Sequence, residues 1–392
     1  MTPGARVQAA IEVLDQVLRG AAAERALTAW ARGARYAGSK DRAAVRDHVF
    51  DALRRLRSAA WAGGQGDVAP SGMSARAVMA GLLAGLGADL AALFDGQGHA
   101  PAPLDPLPDP GPAPAGVRLD LPDWLLPLFT DALGPDAEAV ALALRDRAPV
   151  ILRANTARID RDALVAALLS GGVAAAAHPL SPSAVLLAGA PRGLQGLPAF
   201  TEGLFEFQDA GSQALVDRLP FASGARILDL CAGGGGKALA YAARSGEPVH
   251  VHDADPSRMR DLPARAARAG ADLRPCPDPE AVAPFDGIIA DVPCSGSGSW
   301  RRAPEAKWRL TPDRLSDLQA TQDAILDRAR SLLRPGGWIG YMTCSLLASE
   351  NDDRVAAASR RHGDLQCDAT WRCMPRDGAD GFFLAILRRG QG

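Results

Sequence analysis

Two cysteines and one aspartate stand out in this 392-residue sequence because of where they occur. Asp291 and Cys294 follow a short apolar run at 287–290, and Cys344 follows a second apolar run in GWIGYMTCS. Such runs predict buried parallel strands, and chemistry in open α/β sheets takes place just beyond the carboxyl ends of strands. If the two strands are neighbours, their ends lie about 5 Å apart. Both thiols and the carboxylate would then open into one crevice.

Two thiols beside a carboxylate suit covalent attack on an electron-poor ring. A thiolate can add to C6 of a pyrimidine while an acid protonates or holds N3. The resulting enamine is nucleophilic at C5 and can take a methyl group from a sulfonium, after which a base must remove the C5 proton. The positions alone do not assign these roles to one cysteine or the other. A redox dithiol and two inert core cysteines are the alternatives.

A glycine-rich loop provides a second candidate site. In ILDLCAGGGGKA, residues 227–238, a predicted strand leads into four glycines, and Lys237 then opens a helix. Glycine lets the backbone approach a ligand closely, and a helix N-terminus presents free N–H groups. The spacing is not that of a P-loop and fits a dinucleotide-binding motif poorly. A tight turn without a ligand is the alternative.

An acidic residue ends the next predicted strand, VHVHD. Asp253 follows the glycine loop by roughly 20 residues, where a carboxylate can accept hydrogen bonds from ribose hydroxyls. Asp255 is the local competitor for this role. Loop and acid together predict a nucleoside-type cofactor, and they fit NAD and S-adenosylmethionine equally.

The elements that must position these residues alternate between strand and helix from residue 225 onward. Helices are predicted at 257–269, at 312–333 and around 350–360, between the apolar runs that predict strands. This alternation predicts a doubly wound parallel sheet. The last apolar segment, GFFLAILRR, is expected to add an antiparallel strand to it.

The sequence divides into four predicted segments. Residues 1–95 carry apolar stripes at helical spacing and form a helical domain, whereas seven prolines make residues 96–116 an extended linker. Residues 117–212 mix short helices and strands, which predicts a small α+β module. Residues 213–392 contain the parallel sheet.

Composition excludes several classes of protein. Hydrophobic residues make up 47% and charged residues 22% of the chain, and no run approaches the roughly 18 apolar residues of a membrane span. The N-terminus has no apolar signal-peptide core, so we expect a cytoplasmic protein. Six scattered cysteines without paired spacing predict reduced thiols and no metal site.

The net charge of −2 does not indicate a nucleic-acid-binding protein, but the distribution of charge is uneven. Residues 1–60 hold eleven basic and six acidic side chains, and arginines and tryptophans interleave in residues 300–309. Arginine holds phosphates and tryptophan stacks on bases. Solvated surface arginines and a loop anchored by tryptophans are the alternatives.

Several motifs, in the same order, resemble those of the Sun-type (Fmu) RNA cytosine-5 methyltransferases. They are DLCAGGGGK, DVPCSGSG with the following RRAPEAKW, and TCS with Glu350-Asn351, within about residues 200–390. Residues 1–95 resemble the NusB-like RNA-binding domain of the bacterial ribosomal-RNA branch. The resemblance implies a Rossmann-like class I S-adenosylmethionine methyltransferase domain, preceded by a small α+β module and an all-α NusB-like domain.

The resemblance also implies roles for single residues. Cys344 would attack C6, Cys294 would assist product release, and Asp291 would contact the base and lie near the cofactor. S-adenosylmethionine would be bound by Cys231, Ala232, Gly233, Gly234, Gly235, Gly236, Lys237, Asp253, Asp278 and Asp291. RNA would be contacted by Arg153, Asn155, Arg301, Arg302 and Lys307.

The loop departs from the family pattern CAAPGGKT, which it replaces with CAGGGGKA. Among the changes, Gly234 stands where the family has proline, and Ala238 stands where it has threonine. Glycine makes the loop more flexible, but the backbone donors remain, so we expect cofactor binding to survive.

We therefore predict a cytoplasmic, monomeric enzyme that methylates C5 of a cytosine in 16S ribosomal RNA through a Cys344 adduct, with neither DNA nor a membrane as partner. Transfer RNA is the alternative substrate. The rivals are a non-catalytic RNA-binding or ribosome-assembly factor and a NAD-dependent oxidoreductase.

Overall fold

The structure is a computed structural model that describes residues 1–391. Its helices are α1 (Pro3–Leu18), α2 (Ala23–Gly33), α3 (Ser39–Arg54), α4 (Leu56–Ala62), α5 (Ala75–Gly85), α6 (Leu90–Leu93), α7 (Ala115–Arg118), α8 (Leu125–Leu133), α9 (Ala137–Ala143), α10 (Arg161–Ser170), α11 (Pro198–Thr201), α12 (Ala210–Asp217), α13 (Gly236–Ser245), α14 (Leu262–Ala269), α15 (Pro279–Val282), α16 (Pro304–Arg309), α17 (Pro312–Leu332) and α18 (Asp352–Arg361). Its strands are β1 (Ile151–Ala154), β2 (Ala175–Ala177), β3 (Ala184–Leu187), β4 (Phe205–Phe207), β5 (Ile227–Asp229), β6 (Val249–Val251), β7 (Leu273–Pro275), β8 (Phe285–Asp291), β9 (Leu333–Thr343), β10 (Leu365–Cys373) and β11 (Phe382–Arg389).

The chain forms two compact units. The helical unit consists of Met1–Arg147 and Trp300–Leu310, and the sheet unit consists of Ala148–Ser299 and the chain from Thr311 onward. Residues 117–147, which the sequence groups with the small α+β module, therefore lie in the helical unit. The four domain boundaries taken from the sequence stay a prediction.

The helical unit confirms the all-α character predicted for the N-terminal region. Apolar stripes from α1 to α5 meet in one core, whose fully buried members include Val13, Leu14 and Val49. The proline-rich segment has neither helix nor strand between residues 101 and 114. Leu104 and Leu107 of this segment nevertheless pack against the helical core.

The sheet unit contains a seven-stranded sheet in the order β10-β11-β9-β8-β5-β6-β7. Strands β9, β8, β5, β6 and β7 are parallel, whereas β11 pairs with both β9 and β10 in the antiparallel sense. The predicted parallel sheet and its antiparallel strand at the end of the sequence are both confirmed. Buried aliphatic residues, among them Ile288, Ile289 and Ile339, form cores on the two faces of this sheet.

The position of β5 makes a topological switch point at the carboxyl edge of the sheet. Strand β5 lies between β6 and β8, so the chain continues to one side through β6 and returns on the other side through β8. Loops that leave such a switch point diverge, and ligands bind between them. In this sheet the two loops are the glycine loop, which follows β5, and the Cys294 loop, which follows β8.

A second, four-stranded antiparallel sheet has the order β2-β3-β1-β4. Its central strand β1 faces a small core around Leu152, Leu164 and Phe205. Within the described residues 1–391, no helix combines the length and the apolar composition that crossing a membrane requires.

Candidate active site

The two candidate cysteines lie side by side. Strands β8 and β9 are parallel neighbours, with Asp291 opposite Met342, so the loops that follow them leave the sheet together. The Sγ atoms of Cys294 and Cys344 are 3.4 Å apart, and both side chains are partly exposed. The sequence-based expectation that neighbouring strand ends bring the thiols together agrees with this geometry.

Gly298 lets the Cys294 loop pack against two other segments. The Gly298 N–H donates to the Cys344 carbonyl at 2.9 Å, and the Gly381 N–H donates to the Gly298 carbonyl at 2.9 Å. A Cβ atom at Gly298 would lie 2.1 Å from the Gly381 carbonyl oxygen, so a side chain at this position would push the Cys294 loop away from the segment that precedes β11.

Asp291, the third predicted catalytic residue, is paired with the lysine of the glycine loop. Its Oδ2 lies 2.5 Å from the Nζ of Lys237. Burial by itself lowers the pKa of Lys237, but the Asp291 carboxylate more than offsets this and leaves that pKa raised. Lys237 is therefore a fixed cation beside the thiols. The remaining exposed part of Asp291 is available to a ligand.

The thiol pair is electrostatically asymmetric. The hydrogen bond from Cys294 lowers the pKa of Cys344. Burial and the Asp291 carboxylate act in the opposite direction, the Lys237 ammonium lowers this pKa further, and the net result is a lowered pKa. The hydrogen bond to Cys344 and burial raise the pKa of Cys294, and the Glu350 carboxylate adds to this effect. The arrangement favours a thiolate on Cys344 and a thiol on Cys294.

The glycine loop turns sharply at the end of β5. Gly233 and Gly235 have φ angles of +50° and +79°, values that glycine adopts without strain. Helix α13 begins at Gly236, so the free N–H groups of its first turn follow the loop. Lys237 belongs to this first turn.

Asp253 supports the glycine loop from the end of β6. Its Oδ2 accepts a hydrogen bond from the Gly233 N–H at 2.9 Å, and its Oδ1 accepts one from the Asp255 N–H at 2.9 Å. Arg258 forms an ion pair with it at 3.2 Å. Asp255, the competitor considered from the sequence, instead caps the turn at Ser257. The carboxylate of Asp253 thus lies at the glycine loop, and its contact with ribose stays a prediction.

The other predicted cofactor residues lie at the same edge of the sheet. The Ala232 N–H donates to the His252 carbonyl at 2.8 Å, and burial raises the pKa of Cys231. Asp278 is exposed and follows β7, the outermost parallel strand, where it caps α15 through the Ala281 N–H at 3.2 Å.

Two residues predicted to bind RNA are buried in the sheet unit. Arg153 donates to the Gln208 side chain at 2.6 Å and to the Gly236 carbonyl at 2.7 Å. Asn155 donates to the carbonyls of Gly203 and Ala269 at 2.9 and 2.8 Å. Both side chains are occupied by contacts within the protein, and Arg153 holds the end of the glycine loop at Gly236. A contact of either residue with RNA stays a prediction.

The three predicted RNA-binding residues of the RRAPEAKW segment belong to the helical unit. The Arg301 carbonyl accepts a hydrogen bond from Arg54 at 2.8 Å, and Lys307 donates to the Arg54 carbonyl at 3.4 Å. Burial lowers the pKa of Lys307 to about 8. Arg301 and Lys307 are buried, whereas Arg302 is exposed. The interpretation as an RNA-facing surface therefore fits Arg302 best.

Sequence reasoning missed several residues that hold the site in place. Arg265 donates to the Gly234 carbonyl at 2.5 Å and pairs with Glu206 at 2.9 Å. Glu350 accepts hydrogen bonds from Ser295 and Ser345, which follow the two cysteines. The only signal for Glu350 was its place in the motif after TCS, and no sequence pattern marked Arg265. Within residues 1–391, no three His, Cys, Asp or Glu side chains are grouped so that they could hold a metal ion.

Comparison with known proteins identifies the family. Residues 218–388 match the family model described as 16S rRNA methyltransferase RsmB/F, and residues 121–192 match the ferredoxin-like domain of RsmF/B-like methyltransferases. Ribosomal RNA small subunit methyltransferase B of Cronobacter sakazakii is 35% identical over 287 residues, which are 68% of this chain and 66% of that protein. The protein of the same name from Xanthomonas campestris is 32% identical over 288 residues, again 68% and 66% of the two chains. The chain thus spans slightly less than two thirds of the length of these relatives.

Solved structures show the same fold. The crystal structure of PH0851 aligns with a TM-score of 0.79 at 21% identity and covers 99% of both chains. A methyltransferase homologue from Pyrococcus horikoshii aligns with a TM-score of 0.61 at 24% identity, over 70% of this chain and 97% of that one. With the matched family models and the related sequences, this chain belongs to the RsmB/F family, the Sun-type group that the sequence resembled.

Proposed function

We propose that this protein transfers a methyl group from S-adenosylmethionine to C5 of a cytosine in 16S ribosomal RNA, through a covalent bond between Cys344 and C6. The observation that carries the proposal is the pair of thiols 3.4 Å apart at neighbouring strand ends, beside Asp291 and the glycine loop. The substrate is supported by the names of the relatives, which are ribosomal RNA small subunit methyltransferases.

The crevice at the switch point suits S-adenosylmethionine. A Cβ atom at Gly235 would lie 2.9 Å from Leu262, so glycine lets the loop pack directly on α14. In this proposal the Asp253 carboxylate, after β6, accepts hydrogen bonds from the ribose hydroxyls, and Asp278, after β7, binds on the adenine side. When bound, the cofactor supplies an electrophilic methyl group on a sulfonium.

Cys344 is the nucleophile in this proposal. The Lys237 ammonium and the hydrogen bond from Cys294 both stabilise its thiolate, and the thiolate is the reactive form of cysteine. Its Sγ forms a bond to C6 of the cytosine while Asp291 holds or protonates N3. The electron density that reaches C5 makes this carbon the methyl acceptor.

Cys294 has the properties of a group that acts after the methyl transfer. While Cys344 is a thiolate, their hydrogen bond keeps the proton on Cys294. Once the Sγ of Cys344 is bonded to C6, that hydrogen bond to an anion no longer exists, the pKa of Cys294 falls, and Cys294 can release its proton to solvent. Its thiolate then accepts the C5 proton, the C5–C6 double bond re-forms, and the bond from C6 to Cys344 breaks, which returns Cys344 as a thiolate.

Three proteins test this assignment: wild type, Cys344→Ala and Cys294→Ala. Each is incubated with labelled S-adenosylmethionine and small-subunit ribosomal RNA, and then assayed for methyl incorporation and for a protein–RNA adduct that survives denaturation. We expect Cys344→Ala to give neither product nor adduct, and Cys294→Ala to accumulate the adduct. The reverse pattern would exchange the two roles. Absence of methylation by wild type on ribosomal RNA would favour transfer RNA or a non-catalytic RNA-binding role.

We further propose that the enzyme acts as a cytoplasmic monomer and that RNA, not DNA, is its nucleic-acid partner. The exposed Arg302 and the basic excess of residues 1–60 support a contact with phosphates. Such contacts make binding fall steeply with salt concentration. A flat salt dependence of RNA binding would count against this part of the proposal.

A further inference from the structure

One buried carboxylate connects the two cysteine loops. Glu350 is 0% exposed, and its two oxygens accept four hydrogen bonds. Oε1 accepts from the Ser295 N–H at 2.8 Å and from the Gln322 amide at 3.0 Å. Oε2 accepts from the hydroxyls of Ser295 and Ser345, each at 2.5 Å.

These partners adjoin the two thiols. Ser295 follows Cys294 directly, and Ser345 follows Cys344 directly. The Gln322 amide that binds Glu350 also donates to the Pro293 carbonyl at 2.9 Å, on the other side of Cys294. Each cysteine is therefore one peptide unit away from a group fixed by the same carboxylate.

The four partners of the Glu350 side chain are arranged as donors. A carboxylate only accepts hydrogen bonds, and four donors match its capacity of about four lone-pair sites. Hydrogen bonds to a charged acceptor are shorter and roughly twice as strong as neutral ones. In Glu350→Gln, an amide replaces the carboxylate. Its N–H groups would face either the N–H donors of Ser295 and Gln322 or the hydroxyls of Ser295 and Ser345, which now donate to the carboxylate.

We propose that Glu350 is a positioning residue, which sets the separation of the Cys294 and Cys344 thiols by tying the loop after β8 to the loop after β9. This inference rests on the proposed function for its catalytic meaning. The separation of the thiols itself can be measured without RNA or cofactor.

Phenylarsine oxide is a suitable probe because it bridges two adjacent thiols. Two S–As bonds form, the two thiol protons pass to the oxide oxygen, and water leaves, so no oxidant is needed. We expect wild type to bind the probe tightly and Cys344→Ala to define the background from other cysteines. Glu350→Gln should bind it about tenfold more weakly, since small misplacements of paired groups cost one to two orders of magnitude.

Asp120→Asn is the matched control. Asp120 is also 0% exposed and accepts hydrogen bonds from the Ser58 N–H and hydroxyl at 2.9 and 2.8 Å, but it lies in the helical unit. The Asp120→Asn variant should lose a comparable carboxylate network and still bind the probe as wild type does. Ser295→Ala and Ser345→Ala keep the carboxylate but each removes a hydroxyl that donates to it. We expect each variant to bind the probe about threefold more weakly than wild type. These two variants test the proposal if Glu350→Gln fails to fold.

Equal probe binding by wild type, Glu350→Gln and the two serine variants would overturn the proposal, whether or not any of them methylates RNA. If wild type is active, Glu350→Gln should lower kcat and leave the Kd for S-adenosylmethionine unchanged, because the glycine loop is not part of this network. A change in that Kd with unchanged kcat would contradict a role in positioning the thiols. Failure of the methylation assay with wild type would affect only the proposed function.

Discussion

Asp229 illustrates how burial at the site changes the behaviour of a single residue. It ends β5, is 1% exposed, and lies near the Asp291 carboxylate and the Lys237 ammonium. Burial, and then the charge of Asp291, raise its pKa from 3.8 to about 7, although Lys237 acts in the opposite direction. Its proton is therefore retained in the folded protein at pH values where the unfolded chain has lost it.

This shift predicts a pH dependence of stability. Between pH 4 and pH 7 the folded state binds one more proton at Asp229 than the unfolded state, so the free energy of unfolding falls as the pH rises. At about 1.4 kcal/mol per pH unit, the total loss is about 4 kcal/mol. Asp229→Asn removes the titrating group. Urea unfolding of wild type and Asp229→Asn should be measured from pH 4 to pH 8. Over this range we expect the free energy of unfolding of the variant to rise by about this amount relative to that of wild type. A constant difference across that range would contradict the raised pKa.

The residues at the site differ in how well the sequence predicts them. Asp291, Cys294, Cys344 and the glycine loop follow apolar runs, so their place at the carboxyl edge of a parallel sheet follows from the fold. Glu350 and Arg265 act through hydrogen bonds to groups 55 and 31 residues away, and no local pattern specifies such partners. The same limit applies to Arg153, whose charge suggested RNA although its side chain is buried.

At the scale of elements, the small sheet and helix α14 hold the glycine loop. Glu206 on β4 pairs with Arg265 on α14, and Arg265 donates to the Gly234 carbonyl. From β1, Arg153 donates to the Gly236 carbonyl at 2.7 Å. A loop with glycine in place of proline has more conformations to lose on binding, so these contacts compensate by restricting it from outside.

Arg265→Met should therefore weaken cofactor binding. Loss of the contact frees the Gly234 carbonyl, and we expect the Kd for S-adenosylmethionine to rise about tenfold, which corresponds to about 1.4 kcal/mol. Calorimetry with the purified protein measures this directly. Arg260→Met, a change at an exposed arginine just before α14, is the matched control and should bind as wild type does. An unchanged Kd in Arg265→Met would mean that the loop is fixed without this contact.

The elements also show what periodicity could not reveal. Strand β10 was not predicted, because five consecutive residues in its middle, 366–370, are exposed and its sequence lacks a continuous apolar face. Strand β7 was missed because its sequence, Leu-Arg-Pro, contains no apolar run. The parallel strands β5, β6, β8 and β9 were predicted, since burial on both faces gives them short apolar runs.

At the scale of the whole molecule, the helical unit is built from two separate parts of the sequence. Residues 300–310 leave the sheet unit directly after the Cys294 loop, join the helical unit, and return at α17. Trp300 is 1% exposed and stacks on Phe129 with ring centroids 5.9 Å apart. The indole of Trp308 donates to the Leu53 carbonyl at 2.7 Å.

Trp300→Ala should destabilise the helical unit. Removal of a buried tryptophan costs about 3–5 kcal/mol, from lost burial and from the cavity that remains. Chemical unfolding followed by circular dichroism measures the change. Arg302→Ala, an exposed change two residues away, should stay within about 0.5 kcal/mol of wild type. Equal stability of the two variants would show that the segment contributes little to this unit.

The position of β11 has a consequence for the order in which the sheet can form. It is the last of the seven strands in sequence, yet it lies between β9 and β10. Until residues 382–389 pair with both of these strands, β9 and β10 each have an edge without a partner. Unpaired strand edges of this kind are prone to aggregate. The sheet is therefore closed on this side only by the strand that comes last in the sequence.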